Sequence, residues 1–207
     1  MDRGRLEAFS DGVFAVAITL LTLNLTIAGP GHGTLAHQIG QHWPGYLAYL
    51  ISFFTIGIIW VNHHSLVSNV AEVTRLLLFL NLVLLLFVVL VPVATGTVAD
   101  YLGHGGFDAK LAVALYGVVL FGMSVGFGCI AEWSLKAGRT LAPVPPDRRW
   151  TARLRFMAGG VVYLAIIGLA FISAPGALGL SGLVALYYVF ERTPAVGRAP
   201  GSQDADA

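Results

Sequence analysis

The chain has 207 residues, of which 57% are hydrophobic and only 11% are charged, and its formal net charge is +1. Ordinary soluble domains contain about 25% charged residues, whereas the mean hydropathy of this sequence is +0.78. These values exclude an ordinary water-soluble fold and indicate a protein surrounded largely by lipid.

The charged residues leave four long gaps in the chain. No Asp, Glu, Lys or Arg occurs in residues 12–71, 76–99, 111–131 or 156–190. Because a helix needs about 20 apolar residues to cross a hydrocarbon core of about 30 Å, these gaps hold several membrane spans. The sequence therefore predicts an all-α integral membrane protein with six transmembrane helices, near 9–28, 44–62, 76–98, 111–134, 155–173 and 177–190.

The first predicted helix mixes polar residues into an apolar segment, RLEAFSDGVFAVAITLLTLNL (5–25). Ser10 or Asp11 could cap its N-terminus, since an acid suits the positive end of the helix dipole. A polar side chain such as Thr19 can bond to a carbonyl one turn earlier or face protein or a water-filled cavity. The sequence is compatible with both arrangements of Thr19. One mostly apolar stripe at helical spacing contains Val16, Thr19, Leu20 and Leu23.

The basic residues predict the orientation of the chain. With a cytosolic N-terminus, eleven of the twelve Lys and Arg residues lie inside and only Lys110 lies outside, in agreement with the positive-inside rule. Six crossings then place the C-terminus in the cytosol as well. We expect one transmembrane domain over residues 1–193 and a disordered cytosolic tail over 194–207.

This topology brings several polar side chains to one depth near the cytosolic side. The first helix runs outward, the second returns, and the third starts inside. Unpaired polar groups near hydrocarbon cost several kcal/mol, so these side chains predict a hydrogen-bonded cluster between the first three helices. The alternative is a set of unrelated residues facing lipid headgroups. The residues at this depth are Arg5, Ser10, Asp11, Trp60, His63, His64 and Asn81.

Other kinds of site have little support in the sequence. The single cysteine, Cys129, excludes an intramolecular disulfide and a cysteine-based metal cluster, and we expect it to be buried. His32, His37 and His42 are unevenly spaced and lack acidic companions, which disfavours a metal site. No Ser/His/Asp set, carboxylate pair or HExxH motif indicates an enzyme. We expect no cofactor, no resident metal and no nucleic-acid partner.

Three segments together resemble one known family. They are RLEAFSDGVFAVAITLL (5–21), ISFFTIGIIWVNHHSL (51–66) and LFLNLVLLLFVVLVPVATGTVADY (78–101). A Phe-Ser-Asp signature with a preceding Arg, a following Thr-Leu-Leu and a Trp-x-x-His on the second helix is similar to that of the transmembrane protein 175 family. That family comprises the endolysosomal potassium channels and their single-repeat prokaryotic relatives.

The resemblance implies a potassium-preferring cation channel in a prokaryotic cytoplasmic membrane. Four first helices of a homotetramer would line the pore, and no separate selectivity loop is implied. Apolar rings of Val16, Leu20 and Leu23 would constrict the pore, with Thr19 adding a ring of hydroxyl groups near them. The residues that match the network anchoring this helix are Arg5, Phe9, Ser10, Asp11, Trp60, His63 and Asn81.

Two residues depart from the family pattern. Val16 stands where isoleucine is common, so the apolar ring there would be wider. Asn24 stands where many relatives carry an acid near the outer mouth, and a neutral amide would concentrate cations less.

The alternative function is a proton-coupled secondary transporter or a proton-conducting membrane protein, since His and Asp within helices can relay protons. A structural or regulatory membrane protein without transport is the third possibility.

Overall fold

The computed structural model describes residues 2–25, 27, 29–136, 138–142 and 145–190. Over these residues the protein is helical, as predicted, and the short 3₁₀ segments Leu21–Asn24 and Leu102–His104 continue two of the helices. The predicted disordered tail lies outside the described residues. The α-helices within the described ranges are α1 (Arg3–Leu20), α2 (Leu35–Gln41), α3 (Trp43–Ser68), α4 (Arg75–Tyr101), α5 (Gly106–Ser134), α6 (Pro146–Ile172) and α7 (Ala174–Phe190).

Four helices in the described part of the chain are long and apolar enough to cross a membrane. They are α1 with its 3₁₀ segment, α3, α4 with its 3₁₀ segment, and α5. The apolar parts of α6 and α7 are shorter, at Met157–Ile172 and Ala174–Phe190. The fold is therefore that of a multi-pass membrane protein, and the number of six crossings stays a prediction.

The ends of α1 differ from the predicted ones. The helix begins at Arg3, with Asp2 as its N-cap residue, so Ser10 and Asp11 lie two turns inside it and the predicted caps were wrong. The polar start of the segment is helical because Leu6 packs into the core with only 1% of its surface exposed. The α-helix ends at Leu20 instead of near residue 28, and a 3₁₀ segment completes it.

Helix α7 starts earlier than predicted. Pro175 and Gly176 were expected to precede the helix, yet both lie in its first turn. Proline is tolerated there because the first N–H groups of a helix have no intrahelical partner. The hydroxyl of Ser173 accepts a hydrogen bond of 3.2 Å from the Gly176 N–H and caps this end.

The closest helix packing joins α4 and α5. A Cβ atom added at Gly126 would lie 2.9 Å from the Cα of Leu84, and Gly122, one turn earlier, lies beneath the ring of Phe87. Glycine at these positions lets the two backbones approach. The pair α4 and α5 forms the centre of the bundle, with α6 packed on α5 and with α1 and α3 on α4.

We expect Gly126→Ala to lower the stability of the folded protein by about 1–3 kcal/mol, because the added methyl group meets backbone that cannot rotate away. Thermal unfolding in detergent measures the effect. The matched control is Gly128→Ala, since a Cβ there meets nothing within 4 Å. Equal unfolding midpoints for the two variants would contradict this account of the packing.

The loops after α3 and α5 are joined at one end of the bundle. The Ala71 N–H donates to the Arg139 carbonyl at 2.9 Å, and the Leu141 N–H donates to the Asn69 carbonyl at 2.8 Å. The Asn69 side chain also pairs with both backbone groups of Ala142, at 3.0 and 3.1 Å. This pairing fixes the end of α3 against which the start of α1 is held.

The single cysteine was expected to be buried, and that prediction was wrong, because Cys129 is exposed. It lies on the face of α5 that also carries Val118 and Val125, both of them exposed. Such an outward apolar face is normal for a helix surrounded by lipid.

Candidate pore helix and its anchoring network

Helix α1 has two distinct faces. The stripe predicted to line a pore is uncovered in the single subunit: Val16, Leu20 and Leu23 are 55%, 41% and 70% exposed, and Thr19 is exposed as well. The opposite face is buried against α3 and α4. Its buried members are Leu6, Ser10, Phe14, Ala17 and Leu21. The fold therefore leaves the stripe free for contacts outside the subunit, and its place in a pore stays a prediction.

The hydroxyl groups at the end of α1 bond to the helix itself. The Thr19 hydroxyl donates to the Val16 carbonyl at 2.9 Å, and the Thr22 hydroxyl donates to the Thr19 carbonyl at 2.7 Å. These are the bonds back to a preceding turn that threonine commonly makes in membrane helices. Each hydroxyl oxygen keeps lone pairs, so the exposed Thr19 oxygen can still accept a further contact.

A buried chain of hydrogen bonds connects α1, α4 and α3. The Ser10 hydroxyl donates to the Leu6 carbonyl at 2.8 Å and accepts from the Asn81 amide at 3.0 Å. The Asn81 Oδ1 atom lies 2.7 Å from Nε2 of His63. Because an amide oxygen can only accept, Nε2 of His63 carries the proton and donates. We call Ser10, Asn81 and His63 the buried triad.

The buried triad is closed off from its surroundings by apolar packing. Ser10, Asn81 and His63 are each at most 1% exposed. The rings of Phe14 and His63 lie 5.4 Å apart between centroids. Buried polar groups of this kind are costly unless each has a partner, so the triad fixes one register of α1 against α3 and α4.

A second polar contact lies on the surface beside the buried triad. The Trp60 indole N–H donates to Oδ1 of Asp11 at 2.8 Å, and Nδ1 of His64 lies 3.9 Å from Oδ2. The Asp11 and His64 side chains are 38% and 52% exposed. The neighbouring histidines therefore differ, because His63 is buried within the triad and His64 is accessible.

Two residues predicted for the anchoring network lie outside it in the subunit. Phe9 is 50% exposed. Arg5 is exposed too, and no hydrogen bond or ion pair joins it to the other described residues. Both side chains leave the buried face of α1 because they sit about a third of a turn from Leu6 and Ser10. Their predicted anchoring roles stay predictions.

Arg3 is the anchoring residue that the sequence did not reveal. Its Nη1 atom donates to the Ser68 carbonyl at 2.9 Å and lies 3.5 Å from the Val70 carbonyl. Arg3 thereby ties the start of α1 to the end of α3. The partners are backbone carbonyls, which carry no sequence signal, and Arg3 lies before the segment predicted to be helical.

The described residues offer no cluster for a resident metal. Among them, no three His, Cys, Asp or Glu side chains lie close enough together to hold an ion. Asp11 and His64 form only a pair. The polar residues of the site are thus arranged to bond to one another and to the helix backbone.

The fold and the uncovered polar and apolar stripe on α1 are those of a helical multi-pass membrane protein. The profile of the family described as "Endosomal/lysosomal potassium channel TMEM175" matches residues 5–92. A potassium channel of Streptomyces collinus is 44% identical over 195 residues, which cover 93% of this chain and 94% of that protein. The chain belongs to the TMEM175 family.

Further comparisons agree with the family assignment. The crystal structure of a lysosomal potassium-selective channel TMEM175 homolog from Chamaesiphon minutus has a TM-score of 0.78 and 33% identity, covering 90% of this chain and 96% of that one. The endosomal/lysosomal proton channel TMEM175 of Gallus gallus is 37% identical over 110 residues, which cover 49% of this chain and 22% of that protein.

Proposed function

We propose that this protein is a potassium-preferring cation channel, that it acts as a homotetramer in a prokaryotic cytoplasmic membrane, and that α1 lines the pore. The observation that carries the proposal is the uncovered stripe of Val16, Thr19, Leu20 and Leu23 on a helix whose other face is locked into the bundle. Near full-length similarity to a protein named as a potassium channel supports it.

Four copies of the stripe around an axis would make stacked apolar rings. Such a constriction stops ions chiefly because its apolar walls exclude water. A ring of hydroxyl oxygens beside it supplies ligands for a partly dehydrated cation. Thr19 lies between Val16 and Leu20 on this stripe, so its oxygen is available at the depth of the apolar rings. The buried triad would hold each helix at a fixed distance from the axis.

The helix lengths are compatible with six crossings. The apolar parts of α6 and α7, Met157–Ile172 and Ala174–Phe190, are about 24 and 26 Å long at 1.5 Å per residue. A hydrocarbon core is about 30 Å thick, and a span slightly shorter than this is tolerated by local thinning of the bilayer. Both termini would then lie in the cytosol, on the side favoured by the Lys and Arg residues.

Reconstitution tests the proposal. We expect liposomes that contain the purified protein, loaded with potassium and diluted into sodium buffer, to develop an inside-negative potential. This potential drives proton entry through an added protonophore, which a pH-sensitive dye inside the vesicles reports. Liposomes with a known potassium channel and empty liposomes are run in parallel. Signal from the known channel alone would contradict the proposal.

Proton conduction is the second candidate function. It is favoured by the name of the Gallus gallus relative and by the exposed Asp11 and His64 pair, whose side-chain atoms lie 3.9 Å apart. The same assay separates the two functions. Dye acidification that needs the protonophore indicates potassium conduction, whereas acidification without it, driven by valinomycin and a potassium gradient, indicates a proton pathway through the protein.

A further inference from the structure

The outer end of α1 is attached to α4 by one side chain. Asn24 is the last residue of the 3₁₀ segment that continues α1. Its Nδ2 atom donates a hydrogen bond of 2.9 Å to the backbone carbonyl of Pro92 in the middle of α4. A carbonyl oxygen has two lone pairs, so Pro92 can accept this bond in addition to its intrahelical one. The amide expected near an outer mouth is thus turned toward the helix bundle.

Glycine at position 96 makes this contact possible. A Cβ atom there would lie 2.7 Å from Oδ1 and 3.1 Å from Cγ of Asn24, which is closer than real Cβ contacts allow. The amide therefore lies against a part of α4 that has no side chain. On the neighbouring side, a Cβ at Gly45 of α3 would lie 3.3 Å from the Cβ of Ala99, so α3 and α4 approach each other closely beside the partly buried amide.

The attachment lies beside the most exposed apolar residue of the predicted pore stripe. Leu23, which directly precedes Asn24, is 70% exposed. Leu21 packs the start of the 3₁₀ segment into the core, where it is fully buried. Beyond it, the Thr22 hydroxyl bonds only to the preceding turn, and Asn24 bonds across to α4. Movement of Asn24 away from Pro92 would therefore move the Leu23 side chain.

We propose that Asn24 and Gly96 form a latch that fixes the outer end of α1, and that this latch sets the spacing of the Leu23 side chains and with it the discrimination between potassium and sodium. Asn24 is then a positioning residue, which acts on permeating ions through its neighbour. The proposal rests on the pore assignment made above for α1. The attachment of Asn24 to α4 can be measured separately, without any ion flux.

The test compares Asn24→Ala, Gly96→Ala and the double variant with the unchanged protein. Loss of one hydrogen bond corresponds to about a two- to tenfold change in an equilibrium, so we expect each single variant to reduce the potassium-to-sodium permeability ratio by roughly that factor. The double variant should be no worse than Asn24→Ala, because the methyl group added at Gly96 no longer meets an amide. Gly128→Ala, whose Cβ meets nothing within 4 Å, is the matched control.

Amide hydrogen exchange of residues 21–25 in lipid nanodiscs is the second readout, and it needs no conduction. Both single variants should exchange faster there, since local opening becomes easier, while residues of α5 keep their protection. Asn24→Asp keeps the size of the side chain but loses the N–H donor when ionised. At pH 8 its hydrogen exchange over residues 21–25 should match that of Asn24→Ala. This variant covers the case in which the smaller side chain prevents folding.

Each combination of hydrogen exchange and permeability ratio either supports the latch or overturns part of the proposal. Faster exchange together with a reduced permeability ratio supports the latch as a pore-positioning element. Unchanged exchange, or a double variant in which the two effects add, overturns the latch. Faster exchange with an unchanged ratio overturns its role in ion discrimination and leaves a merely structural contact. A wild-type protein that conducts no potassium refutes the proposed function, and the exchange comparison still tests the attachment.

Discussion

Replacing Leu23 with serine is expected to raise cation flux several-fold and to weaken discrimination between potassium and sodium. Leu23 is 70% exposed in the subunit, and four copies near an axis would form an apolar ring that excludes water. A hydroxyl group in its place admits water and lowers the barrier. Leu20→Ala should act in the same direction, whereas Thr19→Ala should mainly change selectivity. Liposome flux with potassium and with sodium gradients measures both effects.

The matched controls lie on the other face of the same helix. Phe14→Ala in α1 and Leu21→Ala in the 3₁₀ segment that continues it also shorten apolar side chains, but both residues are at most 1% exposed. Each should cost about 2–5 kcal/mol of stability, as large-to-small changes in a core do, without a specific gain in flux per folded protein. If the two sets of variants gave the same flux pattern, α1 would not line the pore as proposed.

Asn81→Ala is expected to have the largest effect on assembly. The change leaves His63 Nε2 without an acceptor and removes the bond that the Ser10 hydroxyl accepts, while Ser10 keeps its bond to Leu6. An unsatisfied buried donor costs about 1–3 kcal/mol and a lost hydrogen bond about 1 kcal/mol, so the loss should reach about 2–4 kcal/mol. Thermal unfolding and the yield of assembled protein in detergent report this loss.

Asp11→Ala provides the comparison for Asn81→Ala. Asp11 also bonds across to α3, through Trp60 at 2.8 Å, but Trp60 is 40% exposed and can find other partners. We expect a stability loss below about 1 kcal/mol, typical of a surface hydrogen bond. A larger loss for Asp11→Ala than for Asn81→Ala would show that the surface contact, and not the buried triad, holds α1.

Much of the fold could be predicted because the charge-free gaps 76–99 and 111–131 lie within α4 and α5, and the two longer gaps hold more than one helix each. The spans near 44–62 and 76–98 lie within α3 and α4. The start of α1 could not be predicted from hydropathy, since Arg3 and its neighbours are polar while their helix is held by Leu6 and by bonds to distant carbonyls. Helix ends depend on such contacts more than on composition.

The candidate site, like the fold, could be predicted only in part. The residues of the buried triad were predicted to lie close together because antiparallel helices bring Ser10, His63 and Asn81 to one depth, and the structure joins them by hydrogen bonds. Arg3 and Asn24 were missed as anchors because each bonds to a backbone carbonyl of a residue more than 60 positions away. No pattern in the sequence marks such a carbonyl as a partner.

The central claim is that the stripe on α1 faces an ion pathway. An experimental structure of the assembled protein in lipid nanodiscs tests it most directly, through the distance of each α1 side chain from the symmetry axis. We expect four subunits with Val16, Leu20 and Leu23 nearest to the axis and with Phe14 and Leu21 farthest from it. A tetramer in which Val16, Leu20 and Leu23 point away from the axis, or an assembly without a central path beside α1, would show that α1 does not line a pore.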